Sequence, residues 1–170
     1  MPILCLTLLI LLLPLPAWSR DVPLFFIQRN KNANEVHYRL QVDAHCHLVS
    51  DAPVSAIWKL LQENPEKTAP LTGLERLVYA AVGQHVAGNW VSFHLRPLKE
   101  RRIKATAIYH PDTQTCAPQV HVEMQAQWVT LERIYVHANE GLLDPKVVYI
   151  DLFGQTLEAP RYPVMERIHP

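Results

Sequence analysis

The chain is poor in the signatures of catalysis. It has no Gly-x-Ser-x-Gly elbow, no Cys-x-x-Cys and no His-Glu-x-x-His, and its five glycines are too scattered to form a phosphate-cradling loop. These absences argue against an enzyme without excluding one, because a triad is assembled in space rather than in sequence. An excess of charge is missing too. Sixteen Lys and Arg balance sixteen Asp and Glu, so nothing draws nucleic acid or anionic lipid from a distance. The densest basic run, Lys99-Glu100-Arg101-Arg102-x-Lys104, is diluted by its own Glu100 and carries no interleaved aromatics. It reads as a hairpin tip in water, with no nucleic-acid partner.

What the chain does have begins at its N-terminus. Ile3 to Leu15 is almost wholly apolar, and Ala17-Trp18-Ser19 follows as a small-x-small cleavage site. That order is the one found in a secretory signal peptide spanning residues 1–19, although no Lys or Arg precedes the apolar run. An uncleaved anchor is the alternative, and it is the only membrane contact the sequence suggests. Pro14 and Pro16 interrupt the run and favour cleavage near Ser19, giving a periplasmic or secreted product. Residues 20–170 then form one domain of ordinary size, which holds every charged residue of the chain.

Two cysteines, Cys46 and Cys116, lie in this domain. In an oxidising compartment they are a disulfide candidate. A bridge would close a loop of about 70 residues, for which the chain-entropy estimate is roughly 4 kcal/mol. Two separate buried thiols are the alternative.

Alternation dominates the rest. From Val36 to Leu48, apolar residues at every second position (Val36, Tyr38, Leu40, Val42, Ala44, Cys46, Leu48) oppose polar ones (His37, Arg39, Gln41, Asp43, His45, His47). A period of two predicts a half-buried strand. Similar segments follow at Asn89 to Leu95, Arg102 to Tyr109, Gln119 to Gln125, Trp128 to His137 and Lys146 to Phe153. Tyr162 to Ile168 adds an edge strand marked by Pro163. Pro53 to Leu60 fits either a strand or a helical stripe. The one clear helix starts from Thr72, with Glu75 completing a capping box. Leu74, Leu77, Val78, Ala81 and Val82 give it an apolar stripe, and Gly83 a stop. The expectation is a mainly β domain, an antiparallel sandwich or barrel of about nine strands with one short α-helix over roughly Gly73 to Val82.

The order of these segments resembles a known family. "FFIQRNKNANEVHYRL" (Phe25 to Leu40), "PVSAIWKL", "LERLVYAAVG" and "LERIYVHANEGLLDPKVVYIDLFGQTL" (Leu131 to Leu157) are similar to a secreted bacterial family catalogued as domain of unknown function 4833. The most specific parts are Arg29-Asn30-x-Asn32 and Lys146-Val147-x-Tyr149-Ile150-x-Leu152-Phe153-Gly154. The resemblance covers nearly all of the mature chain and implies a strand at Pro53 to Leu60. It brings no activity and no catalytic residues. After Asp43 that family turns at a glycine, whereas this chain reads His45-Cys46-His47. A site built there is peculiar to this protein, or these are turn residues.

Two sets of side chains merit a functional reading. Asp43, His45 and His47, at every second position, would share one strand face, and His121 with Glu123 repeats the pattern elsewhere. Imidazoles and a carboxylate suit zinc or copper, the only cofactors suggested by the sequence. A solvated outer face explains the same residues without a metal. The second set is Trp58, Trp90 and Trp128, with His94, as the lining of a concave pocket for an apolar or peptidic ligand. Each of these tryptophans has a core position as its plainer explanation. The functional expectation is an uncharacterised exported β domain, a non-enzymatic binding or structural module of the cell envelope, with a metal-binding protein or metal-dependent hydrolase as the alternative.

Overall fold

The computed structural model describes residues 19–139 and 146–169; the predicted leader and its expected cleavage motif fall almost entirely outside them. The first strand extends on both sides of the apolar run Leu24-Phe25-Phe26-Ile27: β1 covers Arg20–Arg29, and a two-residue turn leads into β2, Asn32–Val42. The alternation of β2 holds as read. Val36, Tyr38, Leu40 and Val42 are fully buried, while the residues between them face out. Beyond Val42 the predicted strand gives way. The Asp43 carboxylate accepts the backbone N–H groups of His45 (2.7 Å) and His47 (2.9 Å), and Cys46 takes a positive φ of 67°. A short acceptor side chain offers the backbone a turn in place of a ladder. The alternation through Leu48 is therefore accidental past position 42.

Pro53 to Leu60 is a strand, β3 (Val54–Lys59), followed by the short β4 (Thr68–Pro70). The helix α1 (Gly73–Tyr79) carries the predicted capping box, with Glu75 N bonded to Thr72 Oγ1 and Thr72 N to Glu75 Oε2. It ends three residues earlier than expected, because Ala80 is already extended and Ala81 opens β5 (Ala81–Ala87). Gly83, at φ +62°, is a bulge within β5, not a helix stop. Its apolar stripe is not buried either: Leu74 is 79% and Leu77 56% exposed. Helical spacing was real, yet α1 is a connector from one end of the sheet to the other.

The remaining strands are β6 (Trp90–Leu95), β7 (Leu98–His110), β8 (Thr115–Met124), β9 (Gln127–Ala138), β10 (Val147–Thr156) and β11 (Pro163–Ile168). Pro163 does open an edge strand, paired only with β10. Among the described residues, nine of the eleven strands form one continuous path, β4-β3-β2-β1-β9-β8-β7-β6-β5; β10 branches from β9, and β11 pairs with β10. All of these pairings are antiparallel except one. Phe26–Arg29 of β1 run parallel to Arg133–Val136 of β9, an addition to the all-antiparallel expectation.

The long β9 is the hinge of the architecture. Its first residues pair with β8 and its last with β1 on one edge, while β10 follows the other edge. The sheet thus folds over into a sandwich-like body that is not closed. Phe25 of β1 stacks on Tyr38 at 4.5 Å and faces Phe93 of β6 at 6.4 Å, so the core lies between the halves. Where the free ends meet, the Gln84 side chain acts as a substitute strand. Its amide accepts from Val54 N (2.8 Å) and donates to Val54 O (2.9 Å), joining β5 to β3.

Candidate functional site: the Trp90–Trp128 cleft

Cys46 and Cys116 are joined, with Cα atoms 5.6 Å apart, which fixes the 43–49 loop to the start of β8. Asn89, in the β5–β6 turn, completes this corner. Its side chain accepts from Leu48 N and donates to the carbonyls of Cys46 and Ala107. Trp90 follows at once and so emerges from a fixed point.

Strand periodicity sorts what comes next. Val91, Phe93, Ile103, Ala105, Val120, Val122 and Val129 all point into the core. Trp90, Ser92, Lys104, His121 and Trp128 therefore share the outer face of β6 to β9. Ser92 pairs with Lys104 and Lys104 with His121, forming one row across neighbouring strands. His85 of β5 extends the row, opposite Ser92. Leu157, just past β10, closes one side. The result is a concave cleft of about 470 Å³ lined by these residues with Ala87 and Val91. Its volume falls within the range typical of small-ligand sites, roughly 300–1,000 Å³. The lining is mostly apolar.

The electrostatics of the cleft are one-sided. Lys104 Nζ sits 4.6 Å from the centre of the Trp128 ring, and the rings of Trp90 and His121 lie 5.3 Å apart. Burial, and then the charge on Lys104, hold the His121 imidazole below its usual pKa. His121 is therefore an uncharged, half-buried ring at neutral pH, and Lys104 is the fixed cation. Among the described residues no carboxylate lines the cleft. A second recess of about 590 Å³ shares Trp128 and Leu157 and continues to Pro160 and Tyr162, with Glu158 as its acid. The loop behind it is cinched by Thr156 N to Tyr162 O (2.9 Å) and Tyr162 N to Thr156 Oγ1 (3.0 Å).

The predicted site residues fare differently. Trp90 and Trp128 come together as lining. Trp58 does not join them: it is 6% exposed and lies under the Arg29 guanidinium at 4.6 Å, beside Tyr79. His94 points to the same face but stops short of the cleft, its Nδ1–H donating to the Arg101 carbonyl at 3.2 Å. Asp43, His45 and His47 stay in their own turn, where the Asp43 carboxyl is held below its usual pKa against desolvation by backbone N–H bonds from His47 and His45. His121 is five positions along β8 from Cys116, about 17 Å at strand rise, so it does not meet them. Among the described residues no three His, Cys, Asp or Glu side chains are grouped to hold a metal. His85, Lys104 and Leu157 escaped sequence reading. Lys104 was legible only as part of a basic run, because which strands adjoin is not written in the spacing.

The other outer face, on β2, β1, β9, β10 and β11, is also rich in functional groups but satisfies them internally. Glu35 accepts from Gln28 (2.9 Å) and contacts His37 (2.7 Å), and Arg133 donates to Gln28. Arg167 grips buried Asp151 with two bonds of 2.7 and 2.8 Å while covering the Tyr149 ring. His137 stacks on Tyr149 at 4.7 Å. The Arg29-Asn30-x-Asn32 stretch is also tied into the structure, although Arg29 Nε is buried without a hydrogen-bond partner among the described residues. Asn30 exchanges side-chain bonds with the Ala138 backbone, and Arg29 bonds Asn32 and Tyr79.

The sequence pattern of the family described as Domain of unknown function (DUF4833) matches residues 25–167. The chain belongs to that family. The match runs from β1 to the end of β11 and so takes in both outer faces, the disulfide and the cleft. No curated protein and no solved structure matches the chain.

Proposed function

We propose that this member of the family is an exported, non-enzymatic binding domain of the cell envelope, and that it takes an apolar or peptidic ligand in the Trp90–Trp128 cleft. The observation that carries the reading is the cleft itself: two indoles on an outer sheet face, one of them 40% exposed, around a mostly apolar hollow. Large amphipathic rings left partly in contact with water at a concave site favour recognition, because a ligand can cover the area they still expose.

The compartment belongs to the same proposal. The apolar leader ending near Ser19 and the Cys46–Cys116 pairing both suit a periplasmic or secreted product. Among the described residues no helix is long and apolar enough to cross a membrane. A purely structural envelope module needs no hollow, and the cleft weighs against that alternative.

A thermal-shift panel of small apolar acids, amides and short peptides tests the reading. A ligand that binds only the folded protein raises Tm in a dose-dependent way. The expected result is a rise for wild type that Trp128→Ala loses. A panel that raises Tm equally in both proteins places the site elsewhere and contradicts the proposal.

A further inference from the structure

The cleft's charge pattern says more about the ligand than its shape does. Among the described residues its polar groups are Lys104, His121, His85 and Ser92, with no acid among them, although acids and bases are equal in number over the chain. Glu123, two residues along β8 from His121, is exposed and is not part of the lining. Two other half-buried cations have acidic partners, Arg101 with Glu166 and Arg39 with Asp21, as does the more exposed Arg167 with Asp151. Among the described residues Arg29, Lys59 and Arg133 form no ion pair, but none of these three lines the cleft. Lys104 is also half-buried, yet among the described residues it pairs with no carboxylate, and its ammonium rests on the Trp128 ring. A cation held at an indole face and left without a counter-charge is a ready partner for an anion, because a half-dry site strengthens a charge-assisted hydrogen bond.

We infer that the cleft takes a small amphipathic carboxylic acid, its apolar body between Trp90, Trp128 and Leu157 and its carboxylate on Lys104, with the His121 ring beside it. This rests on the cleft being the binding site, as proposed above, and adds the headgroup. The direction of the ligand follows. Glu158 lies in the adjoining recess, so an anion is repelled from that end and drawn to the Lys104 end. A sugar is a poor fit, since a mostly apolar lining leaves its hydroxyls without partners. A cationic ligand would meet Lys104 directly.

Isothermal titration of the full mature chain with 2-naphthoate and with the neutral, nearly isosteric 2-naphthamide separates the headgroup from the body. Wild type is expected to bind the acid at least about tenfold more tightly than the amide. Lys104→Met and Lys104→Gln should each bring that ratio towards one, and Lys104→Arg should retain a preference for the acid. Circular dichroism melts confirm that each variant is folded. Equal affinity for acid and amide overturns the headgroup while leaving the cleft as the site. Failure of both to bind folded wild type overturns the cleft as well. Tighter binding of a glycyl-glycyl-phenylalanine peptide with a free C-terminus than of 2-naphthoate overturns the assignment to a small acid in favour of a peptide end.

Discussion

The two outer faces of this sandwich are built from the same kinds of side chain and end in opposite states. On the β2-β1-β9-β10-β11 face, two cations cover aromatic rings, Arg133 over Phe153 and Arg167 over Tyr149, and both also find polar partners on neighbouring strands. Two acids there, Glu35 and Asp151, are buried and bonded. On the β5-to-β9 face, Lys104 covers Trp128 in the same way, but among the described residues no acid pairs with it. A finished network stabilises the fold and has nothing left to offer a ligand. An unfinished one, set in a hollow, is what the proposed binding site requires. That contrast, and not the presence of histidines or tryptophans as such, separates scaffold from proposed site.

Both faces hang on one frame, and the largest effects come from breaking it. Replacing Cys46 and Cys116 with serine should cost about 4 kcal/mol, from the entropy of a 70-residue loop. Chemical denaturation of the double variant measures this, and both faces should be lost in a single transition. Next is Gly154, where β10 presses against β9. A Cβ there would overlap the Thr130 carbonyl, which is backbone and cannot swing away. Gly154→Ala should cost about 3 kcal/mol, again lost from both faces together.

Smaller changes should split the faces. Arg167 holds the Asp151 carboxyl below its usual pKa. The pair's contribution is therefore full above the ordinary carboxylate range, near about 3.9 for an unfolded chain, and fades as pH falls through the lower folded value. Asp151→Asn should lower Tm by roughly 2–4 °C at neutral pH, a modest drop because Arg167 is partly in water. Melts at successively lower pH should show the gap to wild type closing. Lys104→Met, on the open face, should change stability by no more than about 0.5 kcal/mol. A large loss there would mean that Lys104 belongs to the scaffold after all.

The legible and illegible parts of the sequence divide along the same line. Period-two alternation revealed β2, β6, β8 and β9, because one face of each is buried and selects apolar side chains. The capping box revealed α1, since its two bonds are local. The same reasoning misjudged what α1 does: Leu74, Leu77 and Val78 have helical spacing and no core to meet. β5 was hidden in that stripe, and the bulge at Gly83 passed for a helix end. In the His45-Cys46-His47 stretch, alternation continued by chance into a turn held by the Asp43 side chain. Trp90 and Trp128 could be named as lining, but not set apart from Trp58, nor joined to Lys104 and His85. A cleft across five strands is a property of strand order, and strand order depends on contacts far apart in the chain.

The indole N–H resonances of Trp58, Trp90 and Trp128 offer the most direct trial, because one tryptophan is buried beneath Arg29 and two line the hollow. Titrating 15N-labelled protein spanning residues 20–170 with 2-naphthoate should move the Trp90 and Trp128 cross-peaks together, to saturation, while Trp58 and the Tyr149 region of the other face stay in place. Saturable shifts centred on Tyr149 and His137, with the two cleft indoles unmoved, would show that the finished face is the site and contradict the account.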